Sequence, residues 1–175
     1  MKLAPLFLLV ATLGCSPTTY QHGVPNLALV DATLWRSGQP TTAEGWAYLR
    51  SLGIRHVIKL DDESEGSDAL AVAAGMTVHV LTIEPIGDRD VWDDIFGVFK
   101  SPDSQKVLEA ETIIANEGGL LVHCKNGWDR TGLIIGIHRV LHWGWSKEAA
   151  YREMLRRGFH PELYGLQHYW DVKVP

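Results

Sequence analysis

Residues 119–137 read GLLVHCKNGWDRTGLIIGI, and the rest of the chain can be ordered around them. The apolar run Leu120, Leu121 and Val122 leads into His123 and Cys124. Five residues separate Cys124 from Arg130, and Thr131 and Gly132 then open a second apolar run at helical spacing. The pattern predicts a strand, a tight loop and a helix. In such a turn the amides from Lys125 to Arg130 lack strand or helix partners, so they can curl into a cradle at the positive end of the following helix. A cradle of that kind suits a dianion such as phosphate. Cys124 lies at its floor, where the helix terminus and a guanidinium favour thiolate over thiol and make a nucleophile. Arg130 closes the ring with a planar fork that can hold two phosphoryl oxygens and follow them as charge spreads in a transition state.

The run His123-Cys124, five residues, Arg130-Thr131-Gly132 resembles the signature of the protein tyrosine phosphatase superfamily, and the resemblance covers the chain from about Leu34 to its end. The alternative is an inert buried cysteine at a strand end, as free cysteines commonly are. Such a cysteine has no use for Lys, Asp and Arg immediately after it. The resemblance implies an α/β domain whose short, mostly parallel sheet is flanked by helices, with the Cys124 loop at the carboxyl end of the central strand. It also implies a set of roles. Cys124 attacks phosphorus, and Arg130 with the loop from Lys125 through Asn126, Gly127, Trp128 and Asp129 holds the oxygens. His123 and Thr131 tune the thiolate, and neither cofactor nor metal takes part.

Superfamily enzymes carry a general acid on a loop ahead of the helix that precedes the signature. Residues 84–101 offer Asp88, Asp90, Asp93 and Asp94 there. The run Asp88-Arg89-Asp90-Val91-Trp92 is similar to the acid loop of the phytase branch, which favours Asp90 and then Asp88. Asp93 and Asp94 better suit a turn or helix start carrying Ile95 and Phe96. Asp129 is a further candidate. Gly127-Trp128-Asp129-Arg130-Thr131 matches a run in the myotubularin lipid phosphatases, where this Asp has been proposed as the acid. The competing role for Asp129 is to cap the helix or tie down Arg130, and both readings stay open.

The chain has 175 residues, 46% of them apolar and 21% charged, which suits one domain with a proper core. Residues 1–15 have the shape of an export signal: Lys2, an apolar run from Leu3 to Leu13 too short to span a bilayer, and Gly14 before Cys15. Thr12-Leu13-Gly14-Cys15 is similar to a bacterial lipoprotein cleavage box, although Thr12 and Leu13 depart from its usual residues. Lipidation at Cys15, plain secretion and retention of the segment are the three outcomes. With Cys15 at a lipidated terminus, Cys124 would be the lone cysteine of a periplasmic or outer-membrane-anchored domain, safe from internal disulfides. Residues 16–30 read as a tether and residues 31–175 as the single domain.

Within the domain, Leu34-Trp35-Arg36-Ser37-Gly38-Gln39-Pro40 resembles the opening segment of bacterial members of the superfamily. A helix capped by Thr41 or Thr42 should bury Trp46, Leu49 and Leu52 and stop at Gly53. A covered strand over 54–60 should follow, then a loop over 61–68 whose five carboxylates read as a solvated cap, a helix over 68–74 and a buried strand over 76–83. Helices are expected over 102–116, over 132–143, from a Ser146 cap to Gly158, and as a short piece to about Trp170. His138, His142, His160 and His168 do not read as a metal-ligand pattern.

The resemblance implies a phosphate monoester hydrolase acting on a small phosphorylated substrate. Lys125 beside the nucleophile and the Trp128-Asp129 pair favour an inositol polyphosphate, phytase-like, with Lys59, Arg89, Lys125 and Arg130 as local cations. A tyrosine or dual-specificity protein phosphatase is the enzyme alternative, and a catalytically inactive phosphate-binding module is the alternative of another class. The formal net charge of −5 opposes a broad basic bowl and a nucleic-acid partner. Membrane contact is expected only through a lipid on Cys15.

Overall fold

The structure, a computed structural model, describes residues 18–85 and 103–175. The leader, Cys15 and the acid-loop candidates Asp88 and Asp90, with Arg89, Asp93 and Asp94, lie outside the described residues. The apolar run quoted above forms strand β7 (Leu120–His123), buried along its whole length. It lies between β4 (Leu34–Ser37) and β5 (His56–Lys59) and is parallel to both. On the far side of β5 lies β6 (Thr77–Val80), also parallel, and β3 (Ala28–Leu29) adds an antiparallel edge to β4. The expected short, mostly parallel sheet is therefore observed. Ser37, His123 and Lys59 stand side by side at the strand ends, so the loops that follow share the carboxyl edge.

Both faces of this sheet are covered, which explains the unbroken apolar run in β7. Successive side chains alternate between faces: Leu120 and Val122 join one core, whereas Leu121 joins the other with Trp46, Leu49 and Val57. The second core is closed by α1 (Ala43–Ser51), whose Thr42 cap accepts from the Gly45 amide at 3.1 Å, and by α2 (Ala69–Ala73). The first is closed by α3 (Ser104–Asn116), α4 (Asp129–Trp143), α5 (Lys147–Arg156) and α6 (Tyr164–Lys173). Helix α4 is buried continuously from Arg130 to Arg139, because β7, α3, α5 and α6 all pack on it. At Gly136 the approach is close enough that a Cβ would lie 2.7 Å from the Met154 sulfur and 2.9 Å from the Trp170 ring. Among the described residues no helix is long and apolar enough to cross a membrane.

Three expectations need correction. Residues 20–30 are folded, not a tether: β1 (Tyr20–Gln21) pairs with β2 (Val24–Pro25), and Val24, Leu27 and Val30 are buried. Their spacing of three puts one apolar stripe against the domain. The strand expected over 76–83 is regular only across β6, a sheet edge with no buried residue in it, although Met76, Leu81 and Ile83 around it are buried. Helix α4 starts at Asp129 rather than Gly132, since the Gly132 amide already donates to Trp128 at 2.8 Å.

Candidate active site

The loop between β7 and α4 is held open from behind. The Lys125 carbonyl accepts from the Gln39 amide at 3.0 Å, the Asn126 carbonyl from Asn26 Nδ2 at 2.8 Å, and the Gly127 carbonyl from Arg36 Nη2 at 2.8 Å. In a trans peptide the C=O and the next N–H point in opposite directions. Fixing three successive carbonyls outward therefore turns the amides of Asn126, Gly127 and Trp128 inward, and none of these amides has a hydrogen-bond partner among the described residues. The result is a concave set of N–H donors at the N-terminus of a helix of 15 residues, an anion site by construction. Gly127 is obligatory here. Its φ is +74°, and a Cβ would sit 2.4 Å from the carbonyl carbon of Ser37. Burial, and the neighbouring Arg157, lower the Arg36 guanidinium to about 10, so it remains a cation at neutral pH.

Cys124, Lys125, Asn126, Asp129 and Arg130 line one cavity of about 150 Å³ together with Glu65. Lys125 and Asn126 are exposed at its mouth, whereas Cys124 and Arg130 are buried. Gly127 and Trp128 contribute amides rather than side chains: the Trp128 ring packs over Gly158 and tilts against the His160 ring, 5.6 Å between centroids.

The loop over 61–68 is not a solvated cap. Asp61 and Asp68 are buried, and three of its carboxylates are wired into the site. Glu65 grips Arg130 Nη2 at 2.7 Å and Asp61 stands 3.9 Å from Nη1, which has no hydrogen-bond partner among the described residues and is a donor in reserve. Asp68 accepts from Gln39 at 2.7 Å and bonds His123 Nε2 at 2.9 Å. Burial alone would raise its carboxyl. The bond and charge of His123, with Gln39 and Lys59, outweigh burial and hold it below the ordinary value. The expected contact of Lys59 with phosphate is overturned, because Lys59 is fully buried and bonded to Asp61 at 2.9 Å and to the Gly66 carbonyl at 2.8 Å. It braces the carboxylate loop instead. Thr131 is buried beneath the loop, its hydroxyl without a hydrogen-bond partner among the described residues.

Asp129 does not tie down Arg130. Its Oδ1 accepts from the His160 backbone N–H at 2.8 Å and lies 2.9 Å from His160 Nδ1. Burial raises its carboxyl above the ordinary range, against the opposing bonds from His160.

Sequence reading missed Asn26, Gln39, Asp61, Glu65, Asp68 and the role of Arg36. The Arg36-Ser37-Gly38-Gln39 run marked the place, but only the parallel pairing of β4 with β7 brings it behind the loop. His138 and His142, four apart on α4, meet Glu111 of α3.

A strand, an inward-facing set of loop amides, a buried cysteine and an arginine at this spacing form the candidate site. The chain belongs to the tyrosine phosphatase family, whose sequence pattern matches residues 24–160. It is 32% identical over 137 residues to the dual specificity protein phosphatase TpbA of Pseudomonas aeruginosa, covering 78% of this chain and 56% of that one. Over 145 residues it is 28% identical to the inositol diphosphatase DSP2 of Arabidopsis thaliana, covering 66% and 56%. The chain thus spans about half the length of these curated relatives. A crystal structure of P. aeruginosa TpbA superposes with a TM-score of 0.63 at 29% identity, covering 83% of each chain.

Proposed function

We propose that this protein hydrolyses phosphate monoesters through a cysteinyl-phosphate intermediate. The observation that carries the proposal is the inward-facing row of unpartnered amides above the buried Cys124, with Arg130 on the same cavity. Cys124 Sγ attacks phosphorus in line. The sulfur–phosphorus bond forms as the bond to the leaving oxygen breaks, while the amides and Arg130 hold the equatorial oxygens. An aspartic acid gives its proton to the departing alkoxide and, as carboxylate, takes one from the water that cleaves the intermediate. Among the described residues our choice for this role is Asp129, whose carboxyl lines the cavity and is raised by burial; Asp90 and then Asp88, outside them, are the rivals. Every group the two steps need belongs to this chain, and no step is assigned to a metal.

The preferred substrate is a small inositol polyphosphate. Lys125, exposed beside the nucleophile, can receive a neighbouring phosphate, and the resemblance to inositol diphosphatases supports the same class. The withdrawal of Lys59 narrows the basic surface to Lys125 and Arg130 among the described candidates. Phosphotyrosine is the second reading, favoured by the higher identity to a dual specificity protein phosphatase. Phosphate release from inositol hexakisphosphate and from phosphotyrosine peptides, measured in parallel with Cys124→Ser as control, separates them. Release from peptides alone would overturn the first reading. Silence on both would favour a phosphate-binding module.

A further inference from the structure

On the side of α4 remote from the loop, Glu111 of α3 lies between two histidines of α4. Its Oε2 is 3.1 Å from His138 Nδ1 and 3.3 Å from His142 Nε2, and all three donor atoms lie within 4.8 Å of one another. Donor atoms each about 2.0 Å from one tetrahedral ion are about 3.3 Å apart, so two edges of such a polyhedron already have their bound length. The third closes by turning His142, which is 42% exposed on its side chain and has room to move. His138 and His142 stand four residues apart on one helical face, the same spacing that lets paired histidines chelate zinc in metalloprotease helices.

Two further features point to a ligand rather than to a simple hydrogen-bonded pair. Glu111 is only 6% exposed, yet among the described residues its second oxygen, Oε1, has no hydrogen-bond partner. A buried carboxylate oxygen left in that state is costly unless something binds it. Glu111 and His142 also line a cavity of about 440 Å³, larger than the catalytic one, which provides an access path and room for a water at a fourth position. Lys173, which is exposed, also lines that cavity.

We propose that Glu111, His138 and His142 bind a divalent transition-metal ion, zinc by the chemistry of two imidazoles and one carboxylate, and that the ion ties α3 to α4. His138 lies nine residues beyond Asp129 on a rising helix, about 13 Å along its axis, so the site is separate from the phosphate cradle. The ion would fix the helix that follows the acid-loop segment against the helix that presents the cradle.

The test uses the untagged full chain carrying Cys15→Ser and Cys124→Ser, so that no thiol can compete, dialysed against chelator and titrated with Zn²⁺ by calorimetry. One equivalent should bind with micromolar or tighter affinity and raise the thermal midpoint by about 5 °C or more when in excess. Co²⁺ should give the visible absorption of a four- or five-coordinate ion. His142→Ala, a surface change that the fold tolerates, should weaken binding at least tenfold and abolish the shift, and Glu111→Gln should do the same. Absence of stoichiometric binding, or binding equally tight in His142→Ala, would overturn the proposal.

Discussion

At the scale of single residues, the chemistry depends on which protons and charges the site holds still. Cys124→Ser should lower turnover by at least about 1,000-fold while phosphate still binds, because the serine hydroxyl keeps the cradle but is a far weaker nucleophile. Asp129→Asn should slow an ester with a poor leaving group by about 100-fold and an aryl phosphate much less, the mark of a lost general acid. Its sign with pH follows from burial. A raised carboxyl stays protonated to higher pH, so the poor-leaving-group rate should fall as pH rises through that value, and this limb should vanish in Asp129→Asn. Equal rates for both esters in wild type and variant would assign Asp129 to holding His160 and return the acid to Asp90 or Asp88. Asp68 has the opposite sign. Its folded value lies below 3.8, so the stability it contributes is complete above that pH and is lost as pH falls through the folded value. Denaturant midpoints of Asp68→Asn should therefore depend less on pH below about 4 than those of the wild type.

At the scale of elements, the loop between β7 and α4 is shaped by what lies behind it. Gly127→Ala places a methyl group against the Ser37 carbonyl carbon and forces a left-handed backbone on alanine. It should cost about 2 kcal/mol or more and remove phosphate binding with it, measured by chemical unfolding and by phosphate titration. Phosphate affinity unchanged in a folded Gly127→Ala would show that the carbonyl anchors do not set the cradle. Helix α4 reaches the loop through a bed of three other helices, and Gly136 marks where Met154 and Trp170 press closest. The element that carries Arg130 is thus positioned by the core as well as by its own turn.

At the scale of the molecule, the boundary of the folded unit is testable by truncation. A chain beginning at Thr18 should unfold at the temperature of the full chain. One beginning at Asp31 should unfold several degrees lower, because it loses buried Val24 and Leu27 and the Asn26 bond to the loop. The sequence by itself determined the strand, loop and helix over 119–137, a cap at Thr41 or Thr42, the cap at Ser146, and the pairing of Cys124 with Arg130. These are local: apolar alternation, capping chemistry and a five-residue spacing act over one or two turns of chain. It placed Lys59 on the substrate and the carboxylates of 61–68 in water, and both were wrong for one reason. Burial of charge depends on partners distant in sequence: His123 with Asp68 and Arg130 with Glu65 meet only when β5 and β7 pair, and Lys59 is buried by the strands and loops packed on either side of β5. Tertiary structure alone brought Arg36, Gln39 and Asn26 behind the cradle and Glu111 between His138 and His142. A single chain pattern records which residues can bond, whereas the packing of strands and helices selects which of them do.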